Sequence, residues 1–130
     1  FTGRDRARVE ALAAKTGAHG LVADVTRGDD NQRTVETAVA RMGGIDVLVN
    51  NAGYAYRAEI GALDVAAMRT MFETNVFGLV DLTNRVVPHM KAQAFGDIVN
   101  IASTSGMKGA PGGTAYSGSK WAVRGITQCW

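Results

Sequence analysis

Tyr116 and Lys120 stand four residues apart in a run from Thr114 to Gln128 that reads as a helix. Side chains at i and i+4 share one helix face, so a phenol and an ammonium can point into a single pocket. A nearby ammonium favours the phenolate, and a tyrosine moved down from its ordinary pKa of about 10 can work as a general acid or base. Alone the pair is unspecific, because a half-buried tyrosine beside a solvated lysine is spelled the same way. Three other polar residues sit where chemistry is often done. Asp24, Asn51 and Ser103 each lie at the carboxyl end of a short apolar stretch. A fourth, Asn75, falls inside a helical region, where asparagine is a mediocre former.

Strands and helices alternate around these positions. Phe1-Thr2-Gly3 reads as the end of a strand. Asp5 to Thr16 carries Val9, Leu12 and Ala13 at helical spacing, with Gly17 as the stop. Gly20 to Val25 reads as a short buried strand, and Asp29 to Met42 as a helix with Val35, Ala38, Val39 and Met42 on one face. Ile45 to Asn50 is nearly all apolar and β-branched, as expected of a strand covered on both faces. Asn51-Ala52-Gly53 then turns the chain. A long helical region runs from about Asp64 to Gln93, with Leu79, Leu82, Val86, Val87 and Met90 as its buried stripe. Pro88 is expected to kink or fray its end. Gly96 to Ala102 is a further buried strand, followed by loop and the Tyr116 helix. The pattern predicts a doubly wound parallel α/β sheet with helices on both faces, in a single domain over residues 1–130. In such sheets ligands bind beyond the carboxyl ends of the strands.

Composition narrows the function classes. Of 130 residues, 46% are hydrophobic and 20% charged, the profile of a water-soluble globular chain, and the net charge is +2 with no cluster of Lys and Arg. Nucleic acid and an anionic membrane are not expected partners. One cysteine, Cys129, forms no internal disulfide, which fits a cytoplasmic, reducing compartment. His19 and His89 have no ligand-like spacing, so no metal is expected. Trp121, Trp130 and the methionines read as core or interface.

Taken together, the motifs resemble the short-chain dehydrogenases/reductases, a family dependent on NAD(P). The matching pieces are Asp24-Val25, Asn50-Asn51-Ala52-Gly53, Asn75 in Asn-Val-Phe-Gly, Asn100-Ile101-Ala102-Ser103 and Tyr116-x-x-x-Lys120, with Ser103 lying 13 residues before Tyr116. They run in the family's order through nearly the whole chain. The resemblance implies a Rossmann-like fold and hydride transfer between a nicotinamide cofactor and a carbonyl or secondary alcohol. It implies that Tyr116 passes a proton to or from the substrate oxygen and that Ser103 hydrogen-bonds the same oxygen. Lys120 bonds the nicotinamide ribose and lowers the tyrosine pKa, and Asn75 holds a water that relays protons towards Lys120. Asp24 accepts from the adenine amino group with the Val25 backbone beside it, and Asn51, Ala52 and Gly53 let the cofactor pass close to the backbone.

The chain departs from the family in one respect. The family opens with a strand and a Gly-rich turn that holds the pyrophosphate at a helix N-terminus. This sequence has neither, and it reads as part of a longer chain. In a sheet order beginning 3-2-1-4-5 the missing strand lies in the middle, so the Leu21 strand is expected not to reach the Val47 strand. The ribose-reading position falls at Gly3-Arg4. Gly3 has no carboxylate to repel a 2′-phosphate, Arg4 offers a forked cation suited to one, and Asp5 is expected to cap the next helix. NADP is therefore favoured, with NAD possible. A homodimer or homotetramer is expected through the long helix and the Tyr116 helix, where Phe77, Val80, Trp121 and Val123 offer apolar surface. Two other readings are a catalytically silent association module and a flavodoxin-like nucleotide-binding module; the second leaves Asn75, Ser103, Tyr116 and Lys120 without a role.

Overall fold

The computed structural model describes all 130 residues, Phe1 to Trp130. Strand β1 (Thr2–Gly3) leads into helix α1 (Arg6–Thr16), whose N-terminus is capped by Asp5: its side chain accepts from the Arg8 N–H at 3.1 Å. That bond satisfies one of the orphan donors of the first turn, so Asp5 is a cap, as its position before the helix predicts. Strand β2 (Leu21–Val22) pairs parallel with β1. Helix α2 (Gly28–Met42) carries Asp29 and Asp30 in its first turn, where carboxylates complement the helix dipole. Strand β3 (Val47–Asn50) and strand β4 (Asp97–Asn100) pair parallel, from Val47↔Asp97 to Asn50↔Asn100.

Between them lies one long helical run in three pieces. These are α3 (Val65–Phe72), a π-helical turn over Glu73–Phe77, and α4 (Gly78–Ala92). Pro88 does not break α4, which continues to Ala92. The proline lies on the exposed side, while Val86 and Met90 anchor the same stretch in the core. Helix α5 (Thr114–Cys129) closes the chain.

This is a partial Rossmann-like α/β fold, and its sheet is split. Two two-stranded sheets, β1-β2 and β3-β4, stand without a strand joining β2 to β3. The expected gap is therefore present. The core is Val35, Ile45, Val86 and Met90, backed by Leu48, Leu82 and Ile98, so α2 and α4 cover one face of β3-β4. The opposite face is bare: Val47 is 52% exposed and Val49 55%, and Val99 and Ile101 are exposed as well. Within these 130 residues one cover lies on β3-β4, while α1 packs on β1 and β2.

Other expectations need correction. Strand β2 ends at Val22 and β4 at Asn100, earlier than Val25 and Ala102. A ladder bond continues one residue on in each, from Ala23 N–H to Gly3 and from Ile101 N–H to Asn50, before side-chain-capped turns take over. Leu12 and Met42, placed on the buried faces of their helices, are exposed; of the residues read as core or interface, Met71 and Met90 are core, and Trp121 and Trp130 lie at the surface. Val123 is buried against the inner side of α5 and offers no outer surface; Phe77 and Trp121 do.

Candidate functional site

Helix α5 delivers Lys120 into the protein. Only 6% of the residue is exposed, and its Nζ donates to the Ile101 carbonyl at 2.7 Å, just beyond β4. A buried ammonium needs such a partner. The same Nζ lies 5.9 Å from the centre of the half-buried Tyr116 ring. The shared helix face predicted for this pair is therefore real.

Asn75 sits in the middle of the π-helical turn, and π-turns inside α-helices often mark functional positions. Its side chain is 1% exposed and fully engaged. Oδ1 accepts from the Tyr54 N–H at 3.0 Å, while Nδ2 donates to the Tyr54 carbonyl at 2.9 Å and to Ser119 Oγ at 3.1 Å. Ser119 in turn donates to the Tyr116 carbonyl at 2.8 Å. Asn75 thus holds the loop after β3 and the Tyr116 turn of α5 together. Gly53 enters the same corner. A Cβ on Gly53 would lie 3.0 Å from Asn75 Oδ1 and 3.8 Å from Lys120 Nζ, so the absence of a side chain leaves a cradle between them. Asn51 and Ala52, just before it, are exposed along the segment that leaves β3.

Ser103 lies three residues past β4, at the start of a 3-10 turn over Thr104–Gly106. Its Oγ accepts from the Ser105 N–H at 3.1 Å, which leaves its own hydroxyl proton to donate elsewhere. The turn is pressed onto α5 at Gly106: a Cβ there would come within 2.8 Å of the Lys120 carbonyl oxygen. This close approach ties the serine turn to the helix bearing Tyr116.

A second group of residues lines a cleft of about 680 Å³ that includes Arg4, Asp24, Thr26, Tyr54, Arg69 and Glu73. Arg4 Nη1 is 3.8 Å from Asp24 Oδ2. Asp24 Oδ1 accepts from the Thr26 N–H at 3.0 Å and its hydroxyl at 2.9 Å. The Val25 N–H has no partner within the chain. This corner thus presents one carboxylate oxygen and one guanidinium, with an unpaired backbone donor on the residue that follows Asp24. Another groove, about 980 Å³ between α4 and the end of α5, is lined by Val87, Phe95, Ile98 and Trp130 among others and holds none of the candidate residues.

Sequence reading missed the polar ties behind these corners. Asn50 Nδ2 donates to Asn100 Oδ1 at 2.8 Å and to Thr83 at 2.9 Å, and Asn100 donates to Thr127 at 2.9 Å. Only strand register shows that Asn50 and Asn100 face each other. Asn31, buried in α2, donates to the Val25 carbonyl at 2.9 Å and to Asp81 at 2.7 Å. Hydrogen bonds from Arg85 first, and then from Asn31, hold the Asp81 carboxyl below the usual range.

Known proteins resemble this chain in sequence and in fold along nearly its whole length. The short chain dehydrogenase family model matches residues 1–130. An uncharacterised oxidoreductase of Staphylococcus saprophyticus is 37% identical over 98% of this chain and 57% of its own length. A 3-oxoacyl-[acyl-carrier-protein] reductase of Thermotoga maritima is 39% identical over 93% of this chain and 48% of its own. The chain spans about half the length of the curated relatives it matches. Among solved structures, a short-chain dehydrogenase from Streptomyces avermitilis superposes with a TM-score of 0.92 at 32% identity, over 98% of this chain and 48% of that one. An NAD+-bound xylitol dehydrogenase gives 0.92 at 32% identity over 98% and 52%, and NADP-bound ElxO gives 0.89 at 27% over 96% and 53%.

Proposed function

Because this chain belongs to the short-chain dehydrogenase family, we propose that the protein moves hydride between a nicotinamide cofactor and a carbonyl or secondary alcohol, with Tyr116 as the proton-transferring residue. The observation that carries this reading is the corner where Gly53, Asn75, Tyr116 and Lys120 meet, with a cradle at Gly53 that any side chain would fill. The cofactor supplies the hydride chemistry, and the protein supplies position and proton transfer. Lys120 binds the nicotinamide ribose and holds its charge 5.9 Å from the Tyr116 ring. Tyr116 gives a proton to the substrate oxygen in reduction and takes it in oxidation. Ser103 donates its remaining hydroxyl proton to the same oxygen and stabilises the charge that grows there. Asn75 holds the loop and helix in register and helps relay the proton towards Lys120.

Asp24 and the free Val25 N–H form an acceptor and donor pair suited to the edge of adenine. Asn51, Ala52 and Gly53 flank the path of the cofactor. Arg4 favours NADP over NAD by offering a cation to a 2′-phosphate. Solved relatives carry either cofactor: NADP in ElxO and NAD+ in the xylitol dehydrogenase. The Thermotoga maritima relative is named for a 3-oxoacyl substrate and the xylitol dehydrogenase for a polyol, which supports the class C=O/CH–OH. The substrate is a small carbonyl or alcohol, the assembly a homodimer or homotetramer, and the location cytoplasmic. No helix is long and apolar enough to cross a membrane.

The test is Tyr116→Phe in the whole protein. Turnover should fall by about 10²–10⁴-fold, the usual worth of a positioned acid or base, with cofactor affinity kept. A variant that retains more than about a tenth of wild-type kcat would remove Tyr116 from the mechanism.

A further inference from the structure

The Asp24-Val25 pair lies in a turn two residues past a two-residue strand, a place where backbone is seldom rigid by itself. Here it is gripped at both ends by consecutive side chains from the first turn of α2. Asp30 Oδ2 accepts from the Asp24 N–H at 2.8 Å. Asn31 Nδ2 donates to the Val25 carbonyl at 2.9 Å. We propose that Asp30 and Asn31 are the positioning residues of the adenine-facing turn, holding the Asp24 carboxylate and the free Val25 N–H in the arrangement that receives the cofactor's adenine. This inference rests on the assignment of Asp24 and Val25 to adenine.

Each grip is itself held. The Arg33 guanidinium pairs with Asp30 Oδ1 at 3.0 Å and also donates to the Val22 carbonyl at 2.7 Å, so Asp30 is tied to the end of β2. The Asp30 carboxyl is kept below its ordinary range chiefly by the hydrogen bond from Asp24, with Arg33 and Arg27 adding their charge. Asn31 is 2% exposed and spends its second amide proton on Asp81 of α4, which Arg85 holds through two further bonds. Those contacts fasten the turn to α2, and through α2 to α4. Two polar atoms of the turn lie outside these bonds. Asp24 Oδ2 faces Arg4 across the cleft, and Val25 N–H is unspent. The bonds from α2 fall on the Asp24 N–H and the Val25 carbonyl, and leave Asp24 Oδ2 and the Val25 N–H to a ligand.

A positioning role of this kind predicts a selective loss. The experiment is fluorescence titration of the whole protein with NADPH, NADH and reduced nicotinamide mononucleotide, which has no adenine. Asp30→Ala should weaken the binding of both dinucleotides by about tenfold, the equivalent of one hydrogen bond, and leave the mononucleotide unchanged. Asp30→Asn keeps an acceptor oxygen and should recover most of that affinity. Asn31→Leu keeps the bulk, releases the Val25 carbonyl and should reproduce the selective loss; it also covers the case in which Asp30→Ala does not fold. Equal losses for dinucleotide and mononucleotide would reduce the pair to general scaffolding and overturn the inference, as would dinucleotide affinity that does not change in either variant. Asp24→Ala separates the two levels. If it weakens dinucleotide binding while both α2 variants do not, the adenine assignment stands and the positioning role falls. If it has no effect, the adenine assignment itself fails.

Discussion

Asn75 and Ser119 are joined by a 3.1 Å hydrogen bond between two side chains that solvent hardly touches, 44 residues apart in sequence. The bond ties the π-turn to the helix turn that presents Tyr116. Asn75→Ala would strip partners from the Tyr54 N–H, the Tyr54 carbonyl and Ser119 at once. Each buried group left unpaired costs about 1–3 kcal/mol, so the variant should lose roughly 2 kcal/mol or more in chemical denaturation. Ser119→Ala removes two bonds, the one from Asn75 and the one to the Tyr116 carbonyl, and should cost about 1–2 kcal/mol. Equal stabilities for wild type and Asn75→Ala would mean that water replaces the whole set.

Lys120 has two tasks in the proposed mechanism, and its loss should show both. Lys120→Met keeps the length of the side chain and removes the charge. Turnover and cofactor affinity should fall together, in contrast to Tyr116→Phe. A Lys120→Met protein with wild-type values for both would take the lysine out of the site.

Cofactor preference is read by kcat/KM with each dinucleotide. Arg4 is well exposed, and its only ionic partner is Asp24 at 3.8 Å, so it is free to turn towards a phosphate. The wild type should prefer NADP, and Arg4→Ala should lower that preference by about tenfold or more, the worth of a charge-assisted hydrogen bond. Wild-type preference for NAD would reject the role.

Acid stability carries the mark of Asp81. Its carboxyl is held below the ordinary 3.8, first by the Arg85 hydrogen bond and then by that from Asn31. A depressed folded pKa means that the unfolded chain binds the proton more readily. The contribution is whole above the unfolded value of about 3.9 and is lost as pH falls through the lower folded value. The stability gap between wild type and Asp81→Asn should therefore be widest above about pH 5 and narrow below about pH 4. A gap that widens on acidification would contradict the Asp81–Arg85 contact.

Ala94 is the one non-glycine residue with positive φ, at 57°, just past the end of α4. That conformation costs an L-residue roughly 1–2 kcal/mol, and glycine adopts it freely. Ala94→Gly should raise stability by up to about 1 kcal/mol, seen as a higher Tm with activity unchanged. A lower Tm would show that unfolded-state entropy outweighs the relieved strain.

Much of this was legible in the residues alone. Alternation of apolar stretches and helical spacing gave the element order, because burial imposes period on sequence. Tyr116 and Lys120 were visible because helix geometry makes i,i+4 pairs neighbours wherever a helix forms. Strand limits were less legible. Ala23 and Val25 suit a strand, but Asp24 between them commits one carboxylate oxygen to Thr26 and turns the chain early. Burial of β3 is legible only in part, for a different reason. An all-apolar strand announces that it suits two covered faces, and says nothing about whether both covers are at hand. The bonds from Asp30 to Asp24 and from Asn31 to Val25 were invisible, since two polar residues in a first helical turn look like ordinary dipole-complementing surface.

The split sheet has a consequence for how these residues behave in concentrated solution. With only two strands in each pair, every strand keeps one side of its backbone unpaired. Along β3 that row of amides and carbonyls runs beside the bare side chains of Val47 and Val49. Such an edge is a template for any extended segment that drifts past, and proteins usually blunt it with lysine or proline. Neither occurs in Val47–Asn50 or Asp97–Asn100. An isolated fragment of these 130 residues is thus open to strand-by-strand capture of one copy by another, and a strand set between β2 and β3 would close it off.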